Sequence, residues 1–306
     1  MPFVIKKMFA SQRESAFLFF KRELGYSQRD IQRYIAVGRV LVNGIPITKP
    51  SDYLEGEFEF IHFEPISKGL MPHEVHENFV VFDKPSGMLI HPQNRHTEYS
   101  LIDELKAQFG MDANIAHRID QETSGLVLCA KDKKSEVDIK MMFQERDMKK
   151  KYLAMVHGEL KDELRIDAPL LRYDDEKSAL VRMVVKVDPS GKESLTFVKP
   201  LKYFEHLNTT LIECSPHTGR QHQIRVHMFH VKHPIVGDPV YGQSEENIVK
   251  YLDRELDRDI RVKLSGARRL LLHANELEFE LYGKKYNVKS SVNFEKVCFE
   301  NMGISE

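Results

Sequence analysis

No apolar run in the 306-residue sequence is long enough to cross a bilayer as a helix. A membrane-spanning role is therefore not expected. Cysteine is scarce: Cys129, Cys214 and Cys298 lie far apart. So few and so scattered, they give neither a disulfide framework nor a zinc knuckle, and reduced thiols in a cytoplasmic protein are expected. Met1 to Lys7 hold no apolar stretch of signal-peptide length. The turn Lys84-Pro85-Ser86-Gly87 lacks the remainder of a glycine-rich phosphate loop, which excludes nucleotide hydrolysis on that pattern. Asp188-Pro189-Ser190-Gly191 reads as a plain turn. The sequence also has no internal repeat, no low-complexity segment and no His-Glu-x-x-His. His227, His230 and His233 recur at three-residue steps, but no Asp or Glu accompanies them between His217 and His233. No metal site is expected there.

Neither sign of charge dominates, for the net charge is −1. The distribution is uneven. Residues 1–50 carry nine Lys and Arg against three Asp and Glu, a net of +6, which leaves about −7 for the rest. That asymmetry suggests a basic module joined to a more acidic body, and phosphate binding depends on local basic density rather than on the total.

The length predicts two domains. In the first, Ser11 and Glu14 have capping-box spacing, so a helix is expected to begin at Ser11, to bury Ala16, Phe17, Phe20 and Leu24, and to stop at Gly25. Ser27 is placed to cap a second helix, ended by Gly38, with Arg29 and Arg33 on one face. Val40-Leu41-Val42, Asn43-Gly44 and Ile45-Pro46-Ile47 read as a hairpin. A strand is expected over residues 57–63 and a linker over 65–76. Beyond it, strands are expected at Phe79–Asp83, Gly125–Ala130, Tyr152–Val156, Leu195–Val198, Thr209–Cys214, Leu270–His273 and Phe279–Tyr282, with helices over 100–109, 134–149 and 244–262. The mixture implies an α+β body rather than regular βαβ units.

Asp120 follows a basic residue pair and precedes an apolar run short enough to be a buried strand, which makes a rigid platform for a charged group. An aspartate can serve as nucleophile or base, and Arg118 and Arg225 are the candidates to sit beside it. On composition alone the stretch reads more readily as a surface turn.

The wording is more specific. His117-Arg118-Ile119-Asp120, followed by Thr123-Ser124-Gly125-Leu126, resembles the signature of the RluA-type pseudouridine synthases. Further stretches resemble that family in order: Lys84-Pro85-Ser86-Gly87 through His91-Pro92; Lys151-Tyr152-Leu153-Ala154; Thr218-Gly219-Arg220-Gln221-His222-Gln223-Ile224-Arg225; and Arg269 through Ala274. Ile119 stands where leucine is usual, Gln221 where threonine is usual, and Cys129 where an aliphatic residue is usual. None of these departures removes a residue with a chemical role. Ser27 to Gly44 resembles the RNA-binding domain named after ribosomal protein S-four, an arrangement shared with the RluC and RluD types.

The resemblance implies a catalytic domain over residues 77–295 with a mixed, mainly antiparallel sheet, preceded by a small α/β RNA-binding domain over 10–64. It implies isomerisation of uridine to pseudouridine in structured RNA, with large-subunit ribosomal RNA favoured over transfer RNA. The reaction requires no cofactor. By position, Asp120 is the carboxylate that breaks the base–ribose bond and Arg225 holds it ionised. Tyr152 stacks on an extruded base, and Arg118 enters the RNA stack in its place. Arg29, Arg33, Arg39 and Asn43 are the contact candidates of the first domain. A monomer is expected. The rival reading is a non-catalytic RNA-binding factor in ribosome assembly, which would have no need of Asp120 with Arg225 and Tyr152.

Overall fold

The computed structural model describes residues 2–94, 96–172 and 184–304. Its contacts divide into two compact units, Met1–Lys68 with His91–Ala107, and Gly69–Ile90 with Gln108–Glu306.

The first unit opens with β1 (Phe3–Ser15), α1 (Ala16–Leu24) and α2 (Gln28–Ala36), followed by β2 (Val40–Val42), β3 (Ile45–Pro46) and β4 (Tyr53–Phe63). The strands form one sheet in the order β1-β4-β2-β3. The expected helix start at Ser11 is corrected. The long register of β1 against β4 keeps the chain extended through Ser15, and Ser15 caps α1 through the Leu18 amide at 3.4 Å. Ser27 caps α2 through the Asp30 amide at 3.2 Å. Asn43 and Gly44 both have positive φ, at 52° and 76°, the conformation that a two-residue hairpin turn demands. Phe19, Phe20, Ile31, Ile35, Leu54 and Phe60 fill the core between helices and sheet.

The second unit contains β5 (Glu74–Val75) and β6 (Phe79–Lys84). After α3 (Leu101–Phe109), most of whose residues belong to the first unit, come β7 (Asn114–Ile115), β8 (Ser124–Ala130), α4 (Lys133–Glu145) and β9 (Lys149–His157). Short strands β10 (Leu164–Asp167), β11 (Leu170–Arg172) and β12 (Val185–Val187) precede β13 (Leu195–Phe204), β14 (Thr209–Pro216) and α5 (Gln223–His230). The chain closes with α6 (Glu245–Leu252), α7 (Arg258–Ser265), β15 (Leu272–Leu281), β16 (Lys284–Lys289) and α8 (Phe294–Met302). The main sheet runs β10-β13-β14-β9-β15-β8-β6-β5, with β16 on β15 and β7 on β8. All its pairings are antiparallel except β15 with β8.

Side chains alternate across the sheet, so β9 sends Ala154 and Val156 to one core, with Ile224 and Met228 of α5, and Met155 to another, with Phe294 and Cys298 of α8. A third core gathers Phe79, Leu126 and Leu128 against Ile139 and Met142 of α4. The sheet is thereby covered by helices, the α+β architecture expected.

Several local expectations are corrected. The segment expected as a linker contributes β5, which pairs with β6. The helix expected over 134–149 ends at Glu145, because Arg146 turns left-handed at φ 64° and the chain then enters β9. The charged stretch 244–262 holds two helices rather than one, with Arg254 at φ 63° between them. The strand around Leu270–His273 and that around Phe279 are one strand, β15.

Candidate active site

The placement of the site begins with β15. Ala274 pairs with Gly125 on one side and with Tyr152 on the other. The loop before β8, which carries Asp120, and the middle of β9 are therefore fastened to the same short piece of strand. Such close packing on β8 needs glycine: at Gly125 φ is +110°, and a Cβ would lie 2.3 Å from the Ala274 carbonyl oxygen.

The Asp120 loop is held at several points. Lys84 is fully buried at the end of β6. Its Nζ donates to the carbonyls of Pro85 at 3.0 Å, Met88 at 2.9 Å and Gln121 at 2.9 Å. Burial pushes this amine down to about 7, against the charges of Asp120 and Glu122, which favour the ammonium. The Gly87 amide donates to the Gln121 carbonyl at 2.9 Å, and Gln121 Nε2 donates back to the Gly87 carbonyl at 3.0 Å. Glu122 accepts from Arg261 at 3.0 Å and from the Tyr251 hydroxyl at 3.1 Å. Behind the loop, Ser124 Oγ contacts His273 Nδ1 at 3.0 Å and accepts from Arg269 at 3.0 Å. Supporting hydrogen bonds of this kind hold a loop in one geometry. His117 Nε2 accepts the Leu128 amide at 2.9 Å, an acceptor role open only to the neutral ring. Burial, with Lys150 nearby, accordingly holds that imidazole down to about 3.

Asp120 faces a cleft of about 700 Å³ that Arg118, Tyr152 and Arg225 also line. Arg118, Arg146, Lys150, Arg220 and Arg225 make its lining basic, and among the described residues Asp120 is the one acid that lines it. Arg225 is buried on α5 and divides its guanidinium between two carboxylates. Nη1 donates to Asp120 Oδ2 at 3.1 Å, Nε to Asp238 Oδ2 at 2.7 Å and Nη2 to Asp238 Oδ1 at 2.9 Å. The amides of Val240 and Tyr241 also donate to Asp238 Oδ1, at 2.9 and 3.0 Å. Against the pull of burial, Arg225 and those amides keep the Asp238 carboxyl below its ordinary range. Asp238 thus locks the fork of Arg225 and leaves one arm for Asp120, which is one-quarter exposed at its side chain. Burial and the Asp120 charge raise the Tyr152 hydroxyl, so at neutral pH the ring is an uncharged surface in the cleft. Arg118 is exposed on the cleft lining.

Of the residues selected from sequence, Asp120, Arg118, Tyr152 and Arg225 share this one cleft. The other four belong to the first unit. Arg29 and Arg33 are exposed on α2, where Arg33 pairs with Asp30 at 3.3 Å. Arg39 is half-buried and stacks its guanidinium over Phe3 and Tyr34, at 4.8 and 5.4 Å from the ring centres. Asn43 is exposed at the hairpin turn.

Sequence reasoning quoted Lys84 and His222 within motifs and assigned no role to them or to Asp238 and Tyr241, and their work here depends on partners distant in sequence. The three spaced histidines diverge. His227 is spent on Thr196 Oγ1 at 2.9 Å and the Ala168 carbonyl at 3.0 Å, while His233 Nδ1 meets the His157 carbonyl at 2.9 Å. Among the described residues no cluster of His, Cys, Asp and Glu is arranged to hold a metal ion. Cys129, Cys214 and Cys298 are buried and unbridged.

Comparison with known proteins identifies the family. The family described as RNA pseudouridylate synthase matches residues 78–230, which include the Asp120 loop, Tyr152 and Arg225. A Helicobacter pylori protein named as an uncharacterized RNA pseudouridine synthase is 38% identical over 291 residues, covering 95% of this chain and 94% of its own. The ribosomal large subunit pseudouridine synthase C of Buchnera aphidicola is 36% identical over 213 residues, covering 69% of this chain and 62% of its own. Among solved structures, human RNA pseudouridylate synthase domain containing 1 superposes with a TM-score of 0.57 at 25% identity, covering 75% of this chain and 86% of that one. No helix among the described residues is long and apolar enough to cross a membrane. With the family's span enclosing a cleft built around Asp120 and Arg225, this chain belongs to the RluA-type RNA pseudouridylate synthases and is an RNA pseudouridine synthase, an isomerase.

Proposed function

We propose that Asp120 is the reacting carboxylate of this synthase, that the target uridine is turned out of its RNA stack to reach it, and that the substrate is large-subunit ribosomal RNA. The observation that carries the reading is the 3.1 Å contact of Arg225 with Asp120 in a cleft whose other charged lining residues, among those described, are cationic. A lone acid among cations marks the point where chemistry, rather than phosphate binding, is done. Arg225 balances the charge of the carboxylate while Asp238 prevents the guanidinium from swinging to the RNA instead. A uracil inside a stem cannot meet a carboxylate at the base of a cleft, so extrusion is required. Tyr152 supplies an aromatic face for the extruded base, and the exposed guanidinium of Arg118 is flat enough to fill the vacated stack. The isomerisation detaches uracil at nitrogen and rejoins it through carbon. It is redox-neutral, so protein groups that position, donate and accept are sufficient.

The choice of ribosomal RNA draws on the relative named for the large ribosomal subunit. The test is pseudouridine mapping of total RNA from strains with and without the gene. Loss of sites confined to large-subunit RNA is the expected result, and loss confined to transfer RNA would overturn the substrate assignment. Asp120→Asn should abolish conversion while keeping RNA affinity within about threefold, since the side chain stays isosteric. An active Asp120→Asn enzyme would sink the mechanism.

The first unit, in this reading, binds RNA through α2 and the following turn, as in the S-four-type domain. Arg29 and Arg33 are exposed four residues apart and Asn43 projects from the turn, while Arg39, packed on Phe3 and Tyr34, braces that surface. Arg29→Ala with Arg33→Ala should weaken binding and reduce the slope of log affinity against log salt by roughly 1 to 2. An unchanged slope would remove this surface from the RNA contact.

A further inference from the structure

His222 stands beside the proposed carboxylate with a role still unassigned. It precedes α5 with φ 55°, the left-handed region where a side chain is disfavoured. Its imidazole lines the cleft, is only 8% exposed, and places Nε2 3.8 Å from Asp120 Oδ2. That separation is too long for a hydrogen bond. The oxygen it faces is the one already held by Arg225.

The other ring nitrogen fixes the tautomer. His222 Nδ1 is 2.9 Å from the Tyr241 hydroxyl oxygen. That oxygen accepts the Val185 amide at 3.1 Å. Burial raises the Tyr241 phenol, so at neutral pH it keeps its single proton. Among the described residues, His222 Nδ1 is the group within hydrogen-bond distance that can accept that proton. Val185 therefore donates to Tyr241, Tyr241 donates to Nδ1, and the ring proton of a neutral imidazole must reside on Nε2. The imidazole is neutral at pH 7. Burial and the nearby Arg225 and Arg172 outweigh Asp120 and Asp238 and hold it down to about 4.

We propose that His222 is a neutral hydrogen-bond donor of the reaction centre, its Nε2–H aimed by Tyr241 at the oxygen of the uracil ring that gains charge as the base is displaced. This rests on the reading of Asp120 as the reacting carboxylate. When the N1–C1′ bond breaks, its electron pair leaves on the base and spreads onto the ring oxygens. The C5–C1′ bond then forms, the C5 proton is lost, and N1 gains one, so product and substrate are isomers. His222 donates a hydrogen bond throughout and surrenders no proton. A preorganised donor contributes most where charge develops in a site that excludes water. A cation there would add a second positive charge to that of Arg225 beside Asp120 in the resting enzyme. Neutrality enforced by burial avoids that second charge, and Tyr241 enforces the tautomer.

The experiment uses the full-length enzyme and RNA isolated from a strain lacking the gene, with single-turnover conversion measured against enzyme concentration. His222→Ala should lower the saturating rate by about a hundredfold to a thousandfold, with the half-saturating concentration within threefold. His222→Gln, which returns an N–H near the Nε2 position on the same backbone, should recover at least tenfold of that loss. Tyr241→Phe tests the relay with the imidazole retained, and its rate should fall at least fivefold. Nuclear magnetic resonance of the isotope-labelled imidazole should show Nε2 protonated at neutral pH. A His222→Ala rate within twofold of the parent, a glutamine variant no better than alanine, or a proton on Nδ1 would each overturn the proposal. Asp120→Asn measured alongside separates the two ideas. If it is inactive and His222→Ala is normal, the present inference alone fails; if it is active, the underlying reading fails.

Discussion

Lys84 shows how much of the site rests on a single side chain that never reaches the cleft. Its ammonium gathers three carbonyls, two from its own turn and one from Gln121 in the loop of Asp120. Lys84→Met would keep the buried stem and leave those carbonyls without their donor. Each buried acceptor so abandoned costs about 1–3 kcal/mol. The variant should therefore lose about 3 kcal/mol or more in urea unfolding, and a loss below about 1 kcal/mol would show that the loop is held elsewhere. The sequence displayed Lys84 plainly, as the first residue of a recognisable turn, but its work could not be read there. The third carbonyl lies 37 residues away, and no local rule connects the two. Asp238 was hidden for the same reason. Arg225 was expected to serve Asp120, and the structure shows that two of its three donor nitrogens serve Asp238.

Among elements, the parallel contact of β8 with β15 is the most exacting. Gly125→Ala would impose strain at φ +110° and a Cβ 2.3 Å from the Ala274 carbonyl oxygen. Strain and overpacking together predict a loss of about 2–5 kcal/mol. Gly87→Ala is the control: φ is +86° there too, but the space around it is open. Equal losses in thermal or urea unfolding would mean that the close approach is relieved by movement of β15. The pattern of legible elements follows from where each takes its instructions. β8 was visible because it is buried on both faces and reads as one apolar run. The capped α2 and the Asn43-Gly44 hairpin were visible because their signals are local. The start of α1 was misread because β4, forty residues on, extends β1 over the stretch with helix-cap spacing. β16 went unread because its hairpin turns through Tyr282-Gly283, at φ 52° and 73°, rather than through an asparagine or aspartate before glycine. The short strands β10 to β12 have no periodicity of their own and exist only through their pairing.

For the whole molecule, the buried histidines set a limit on the acid side. Burial holds His117 down to about 3, and His222 and His273 to about 4, and it lowers His157 and His227 as well. In each case the folded chain binds its proton less readily than the unfolded chain. Their contribution is therefore fully present above the ordinary histidine value of about 6.5 and is lost as pH falls from there towards 4. Unfolding free energy should decline across pH 6 to 4.5 more steeply than the roughly 1.4 kcal/mol per pH unit that one proton gives. The lowered carboxyls of Asp238 and Glu122 add their own loss from the lower end of that window downward. A flat profile between pH 6 and 4.5 would contradict the burial described. The position of β15 has a consequence in time as well as in space. β15 lies between β8 and β9, yet it begins at Leu272 of 306 residues, more than a hundred positions after β9 ends at His157. At typical synthesis rates of 5–20 residues per second, a ribosome needs roughly 6 to 23 seconds to make that interval. Throughout it, the strand led by Asp120 and the strand bearing Tyr152 wait with open edges for the one that joins them. If the first unit binds RNA as proposed, the growing chain would hold nucleic acid before it could alter a single base.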